Sequence, residues 1–343
     1  MTNQPDFLPD EFRFAHDYAF LLHDRLTYLL VEGERTGLFL THFSLDQVEE
    51  ADRPENFPHI FDWFEKYDRG DLLGEVLLKA VLPALLSDFC HFIFEALTCS
   101  RKGKLTVAYA LLRKPLRENL HYIEWLLADP ADFLNTLYAK ESVALSFSHI
   151  GQPDKVKAVV AAALARCANR GALDAELLYE LRYDREFPDG FDGMCNQAMH
   201  LITTKPPIAT IKQNFNFIFS NDEDRYAQWE QMYRYLPLLL FYATEVVESL
   251  VTVIGKRPMQ DYRRATIQRS IGFVAWARDV VQWDENAVPA DEDYDAGIEC
   301  PGCAAEVPPG RDQLMMLIYD GQVSCPHCSL EFGLDELAGG ETG

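Results

Sequence analysis

The chain has 343 residues, 54 acidic against 31 basic side chains, a formal net charge of −23, and 48% hydrophobic residues of which aromatics supply a quarter. That apolar content is ample for a packed core and excludes general disorder. The charge disfavours non-specific binding to DNA, RNA or anionic membrane, whose phosphates would repel it, and leaves room only for a local basic patch.

The N-terminal stretch MTNQPDFLPDEFRF is acidic and lacks the apolar core of a secretory signal. In HDYAFLLHDRLTYLL the positions Tyr18, Leu21, Leu22 and Leu29 recur at helical spacing. SLDQ (Ser44 to Gln47) has the form of a capping box, and PHIFDWFEKY reads as a short helix with Pro58 near its start. A long apolar segment comes next, from about Asp71 to Cys99, and Pro83 should kink or split it. The next helix is expected over Leu105 to Ala128, stopped by Pro130, with a short helix after it.

At Gly151 the composition changes. The Ala-rich PDKVKAVVAAALARCANRG and a second short helix read as a projecting helical hairpin, closed by the turn FPDG. SNDE (Ser220 to Glu223) is a second capping box, and Pro237 should divide the helical stretch beyond it into two helices, the second ending at Gly255. A last helix runs from about Pro258 to Trp283. The expected fold class is therefore mainly α: a large multi-helix domain over residues 1–283, of about ten helices, followed by a small C-terminal β module. Two stretches, Leu72 to Leu97 and Leu236 to Ile254, are apolar enough for a membrane, yet they carry Glu75, Lys79, Asp88, His91 and Glu95, and Glu245 and Glu248, respectively. Such charges are costly in a bilayer, so both read as core helices and no membrane is expected.

Residues 284–298 form an acidic linker, 299–334 a zinc ribbon and 335–343 a disordered tail. The ribbon rests on two Cys-x-x-Cys pairs, Cys300 with Cys303 and Cys325 with Cys328. Zn²⁺ favours four thiolates in a closed tetrahedron, and this spacing supplies them. LMMLIY and QVSC around Asp320-Gly321 read as two strands and a hairpin turn. His327 lies inside a knuckle whose four ligands are already present. The other cysteines, Cys90, Cys99, Cys167 and Cys195, are scattered singly, which fits a reducing cytoplasm. From Glu299 to the end there are eight acids and one base, Arg311. A nucleic-acid ribbon needs a basic face, so this one is expected to contact protein, either its own helical domain or a partner.

Three constellations in the helical region carry possible chemistry. Arg101, Lys102, Lys104, Arg113, Lys114 and Arg117, with Lys256, Arg257, Arg263, Arg264, Arg269 and Arg278, would make a basic groove for phosphate or RNA if the two segments lay side by side; otherwise they solvate helix faces and pair with carboxylates. Asp88 with His91 and Glu118 with His121 are acid-x-x-His pairs, half of a di-metal carboxylate site that Glu245 or Glu248 could complete as an oxidoreductase; the alternative is a hydrogen-bonded polar network in the core. Asn196 and His200 share a helix face.

The run AYALLRKPLRENLHYIEWLLADPADFL, with its Lys114-Pro115-Leu116-Arg117-Glu118 core, resembles the central helix of bacterial helical families related to HEPN domains, and NQAMHLITTK resembles their polar-x-x-x-His segment. The resemblance implies a helical fold and a homodimer. It also raises metal-independent RNA cleavage, for which Arg113, Arg117, His121 and His200 are the candidate catalytic residues. HEPN nucleases separate Arg and His by four to six residues; here Arg117 and His121 enclose three, and Arg113 and His121 seven. The leading expectation is a non-catalytic, zinc-binding interaction protein of the bacterial cytoplasm.

Overall fold

A computed structural model of the chain describes residues 6–45, 49–139, 145–147, 151–256, 261–283, 298–307, 313, 316–317 and 320–333. The helices are α1 (Arg13–Arg35), α2 (Ile60–Lys66), α3 (Gly70–Arg101), α4 (Leu105–Lys114), α5 (Leu120–Ala128), α6 (Pro130–Ala139), α7 (Pro153–Leu164), α8 (Ala175–Tyr183), α9 (Phe191–Met199), α10 (Asp222–Gly255) and α11 (Tyr262–Trp283). Two antiparallel ribbons come after them, β1 (Ile298–Glu299) with β2 (Glu306–Val307) and β3 (Gln322–Ser324) with β4 (Glu331–Gly333). The mainly α class with a small C-terminal β region is as expected. Asp46 and Gln47 of the SLDQ box and nearly all of the acidic stretch lie outside the described residues.

Helix α10 is the axis. From Leu236 to Leu240 every residue is buried, and the burial continues all round the helix to Val251. A helix that is apolar on every side must be surrounded, and α1, α4, α5 and α11 pack against it. Both α3 and α10 are long and apolar enough to cross a membrane by length and composition, and the most apolar window of α10 is 67% buried among its neighbours. Its N-terminus carries a capping box, with Asp224 N–H donating to Asn221 Oδ1 (2.8 Å) and Asn221 N–H to Asp224 Oδ2 (2.9 Å). The box therefore sits one residue later than SNDE predicts, because Asn caps as well as Ser; Ser220 instead accepts from Gln228.

Neither internal proline divides its helix: α3 runs through Pro83 and α10 through Pro237. For Pro237 the reason is visible. A helical proline strips the carbonyl four residues earlier of its donor, here that of Tyr233, and Trp276 Nε1 of α11 donates to that oxygen at 2.9 Å. At Pro115 the chain takes another route: Pro115–Asn119 forms a π-turn between α4 and α5. The carbonyls of Leu116 and Arg117 in that turn accept from Arg182 Nε (2.8 Å) and Tyr183 OH (3.1 Å) of α8. Pro130 opens α6 as its first residue, where no amide donor is needed. The α7–α8 pair does not project: Val156, Val160 and Ala163 of α7 and Leu178 and Leu181 of α8 belong to the main core.

Tyr233 is also a polar junction. Its hydroxyl lies 2.7 Å from His16 Nδ1 of α1 and 2.8 Å from Ser100 Oγ of α3. Burial, seconded by Arg101, holds the His16 imidazole down at about 4 against an ordinary 6.5.

Both junctions should be measurable as stability. Trp276→Phe leaves the Tyr233 carbonyl unpaired and is expected to cost about 1–3 kcal/mol in urea denaturation, whereas Pro237→Ala restores the helical donor and should remove much of that cost in the double variant. His16 is neutral in the fold and takes a proton when unfolded below pH 6.5. Its contribution is thus fully present above pH 6.5 and declines by roughly 3 kcal/mol as pH falls to about 4. His16→Asn should flatten the stability–pH slope in that window by one proton; an unchanged slope contradicts the assignment.

Candidate metal centre

The four cysteines of the C-terminal module converge. Their Sγ atoms all lie within 4.8 Å of one another, with Cys300 and Cys328 at 3.6 Å and Cys303 and Cys325 at 3.7 Å. A tetrahedron with metal–sulfur bonds of about 2.3 Å has edges of about 3.8 Å, so the set has the size a thiolate-bound ion needs. Each close pair joins one knuckle to the other, so an ion there would tie both halves of the module together.

The two knuckles are copies. In the first, Gly302 N–H donates to Cys300 Sγ (3.4 Å), Ala304 N–H to Cys300 O (2.9 Å) and Cys300 N–H to Ala305 O (2.9 Å). In the second, His327 N–H donates to Cys325 Sγ (3.4 Å), Ser329 N–H to Cys325 O (2.9 Å) and Cys325 N–H to Leu330 O (2.9 Å). The residue four past each first cysteine is left-handed, Ala304 at φ 55° and Ser329 at φ 59°. Each knuckle is thus closed by its own two-stranded ribbon. This replaces the predicted strand–turn–strand through Asp320-Gly321: Met316 and Leu317 are helical, and β3 pairs with β4 across the second knuckle.

Crowding spreads the thiol acidities. Burial raises Cys325, yet amide donors from Cys328 and His327 and neighbouring thiols bring it down to about 6. Cys328 receives an amide bond from Leu330 that lowers it, but burial and the three other cysteines push it up to about 12. Four thiolates this close cannot all ionise without a cation, which is the electrostatic case for a metal. Cys300 and Cys325 are buried, while Cys303 and Cys328 are exposed. The scattered cysteines are unpaired, and burial pushes Cys90 and Cys167 up to about 12.

The module is seated on α11. Val307, Leu317, Val323 and Phe332 form its small core with Cys300 and Cys325, and Ile267 and Ile271 of α11 pack against it. Arg264 Nη2 donates to Asp320 O at 2.9 Å. The two isoleucines were not singled out from the sequence, and Arg264 was read there only as part of a basic groove; the readable signal was a pair of isoleucines four apart on an Arg-rich helix.

The other candidate residues do not assemble into a site. Asp88 accepts from Lys114 Nζ (2.6 Å) and Asn119 Nδ2 (2.7 Å), while His91 is exposed. His121 is buried, its ring edge-on to Phe147 and Tyr183, with Nδ1 3.7 Å from Glu124. Glu124 is held by Arg182, Nη2 to Oε2 at 3.0 Å, with both side chains fully buried. Burial raises the Glu124 carboxyl, but Arg182 and His121 outweigh it and hold it below its ordinary value. Glu245 and Glu248 are bound by arginines: Arg269 Nε donates to Glu245 Oε1 (2.9 Å), Arg269 Nη2 to Glu248 Oε2 (2.8 Å) and Arg25 Nε to Glu248 Oε1 (2.7 Å). Of the two readings of these residues, the structure shows the hydrogen-bonded polar network rather than a di-metal cluster. Among the described residues, the cysteines are the one group placed to hold an ion.

Four of the twelve basic residues, Arg101, Lys114, Arg117 and Arg269, are spent on carboxylates. Arg101 pairs with Asp6 (3.1 Å), Lys114 with Asp88, and Arg117 with buried Asp192, stacking over Phe147 and Tyr183. Arg269 is buried. Arg113 is half-buried, its Nε without a hydrogen bond, and Arg257 lies outside the described residues. Lys102 is half-buried, and Lys104, Lys256 and Arg263 are exposed. Arg278 is half-buried and has an interaction of its own. Asn196 Nδ2 donates to Asp192 (O at 2.7 Å), and His200 is exposed at the end of α9.

No family model, curated protein or solved structure matches the chain. The HEPN resemblance thus has no support beyond its motifs, and the buried His121 is out of reach of a polynucleotide.

The Glu124–Arg182 pair gives a direct measurement. Arg182→Met strands a buried carboxylate and is expected to cost about 3–5 kcal/mol. Adding Glu124→Leu should recover most of it in urea denaturation.

Proposed function

We propose that the protein is a non-catalytic zinc-binding interaction protein of the cytoplasm, in which a Cys₄ zinc ribbon makes protein contacts, the first of them with helix α11 of its own chain. The observation that carries this reading is the cysteine cluster of tetrahedral size seated on Ile267 and Ile271. Zinc is favoured because an all-thiolate tetrahedron with short Cys-x-x-Cys knuckles is its preferred structural site. Cys300, Cys303, Cys325 and Cys328 would hold it, and the ion would supply folding energy rather than chemistry. The ribbon's acidic balance favours protein over nucleic acid as its partner.

Elemental analysis of the purified chain should find one zinc per chain. Cys300→Ser, which removes a buried ligand, should lower zinc content below half. It should also make α11 more susceptible to protease, because the ribbon covers Ile267 and Ile271. Full zinc retention in Cys300→Ser, or iron in place of zinc, contradicts the reading. Salt-sensitive RNA binding by the intact protein would contradict its protein-contact half.

A further inference from the structure

Between α9 and α10 the chain makes a loop, residues 200–221, that exposes what a core would hide. Leu201, Ile202, Ile211, Phe215, Ile218 and Phe219 are between 42% and 76% exposed. Together they present on the order of 600 Å² of apolar surface. That reaches the upper end of what a monomer ordinarily shows, and most of the roughly 800 Å² that one partner gives to a standard interface.

The loop is built, not slack. Thr210 N–H donates to Thr203 O (2.8 Å), Thr203 N–H to Thr210 Oγ1 (2.8 Å) and Asn216 N–H to Leu201 O (2.9 Å). Asn216 Nδ2 donates to His200 O (2.8 Å) and Gln197 Nε2 to Ile208 O (3.3 Å), fixing the loop to the end of α9. Apolar side chains held out on a cross-braced loop cost little further entropy on docking. Between α9, the loop and the first turns of α10 lies a cavity of about 250 Å³, rimmed by Ile211, Phe215 and Phe219, a hole that can take one large side chain.

Charge identifies the occupant. On a chain of net −23, residues 200–220 contain no carboxylate, only Lys205 and Lys212. Both lysines are exposed and make no ion pair among the described residues. Immediately beyond the loop, Asp222, Glu223 and Asp224 stand exposed on α10. Asp222 is paired with Arg225 and Asp224 caps the helix, which leaves Glu223 without an ion pair among the described residues. The surface therefore combines exposed apolar side chains with unpaired charges of both signs, lysines in the loop and Glu223 just beyond it. An isologous two-fold contact sets each lysine against the partner's acids. The two lysines also lessen the repulsion between two bodies of the same negative charge. A phosphate-bearing membrane would meet the same three acids and the same net charge, so the electrostatics favour a second copy.

We infer that the 200–221 loop is the dimer interface of this protein, apolar side chains meeting across a two-fold axis, with Lys212 of one copy facing Glu223 of the other. The inference rests on reading the chain as an interaction protein, but not on its metal. The test is sedimentation equilibrium of the full chain over roughly 1 to 100 µM, the range that brackets a micromolar interface, with zinc measured on the same samples. The wild type should dimerise. Ile211→Asp and Phe219→Asp, both at exposed positions, should raise the dimer Kd at least tenfold with unchanged far-ultraviolet dichroism. Lys212→Glu should weaken the dimer, and adding Glu223→Lys should restore it. A monomer throughout the range, or a dimer indifferent to these changes, overturns the inference. So does flotation of the wild type with phosphatidylserine vesicles that is lost in Ile211→Asp. A zinc-free chain that still dimerises through the loop would remove the ribbon reading and leave this one standing.

Discussion

Two carboxylates on an otherwise apolar helix govern the arrangement of the helical body. Glu245 and Glu248, three residues apart on α10, are almost fully buried. A buried carboxylate is tolerated only with cationic and hydrogen-bonding partners. Arg269 supplies them from α11 and Arg25 from α1, while Asn169 closes the remaining valence of Glu245 by its backbone and side-chain amides at 3.1 and 2.9 Å. Such a knot is weak evidence for stability, because well-packed hydrophobic residues can do as well. What it supplies is register. Only one axial position of α11 along α10 puts Arg269 between both acids. That position also places Trp276 under the free carbonyl of Tyr233, and Gly272 where Tyr18 leaves no room for a Cβ, whose nearest ring atom would lie 2.4 Å away.

The class of fold and the four-cysteine cluster were legible because both signals are local. Helical periodicity is written within a dozen residues, and Cys-x-x-Cys within four. Where the reading failed, the missing information was a neighbour distant in sequence. Pro237 reads as a break unless Trp276, 39 positions on, is known to cap the freed carbonyl. The acid-x-x-His pairs obey the same logic. Spacing joined His121 to Glu118, whereas the carboxylate beside its ring is Glu124, which Arg182 from another helix holds. Three of the four acids counted toward the di-metal cluster, Asp88, Glu245 and Glu248, are claimed by a lysine or an arginine from another helix. The hairpin through Asp320-Gly321 failed differently: turn chemistry was right for a strand pair, but two self-closing knuckles left no partner strand for Met316 and Leu317.

The same register explains how an acidic ribbon finds a place on an acidic protein. The C-terminal 45 residues hold eight acids and one base, whereas α11 carries Arg263, Arg264, Arg269 and Arg278 against the single acid Asp279. Once Arg269 is turned inward to the α10 carboxylates, Arg264 is left on the side that meets Asp320, and Ile267 and Ile271 complete an apolar strip beside it. A Cys₄ site holding a dication would keep two negative charges, partly balanced by the amide donors at Gly302 and His327. The most basic helix of the chain is therefore its docking surface for the most acidic module. Attraction between them is intramolecular, so the loop closure is short and no nucleic acid is needed to neutralise either side. In this arrangement the ribbon's location depends on α11, α11 depends on the buried acids of α10, and a thiolate site that resembles a nucleic-acid module in sequence becomes a clasp on its own helical domain.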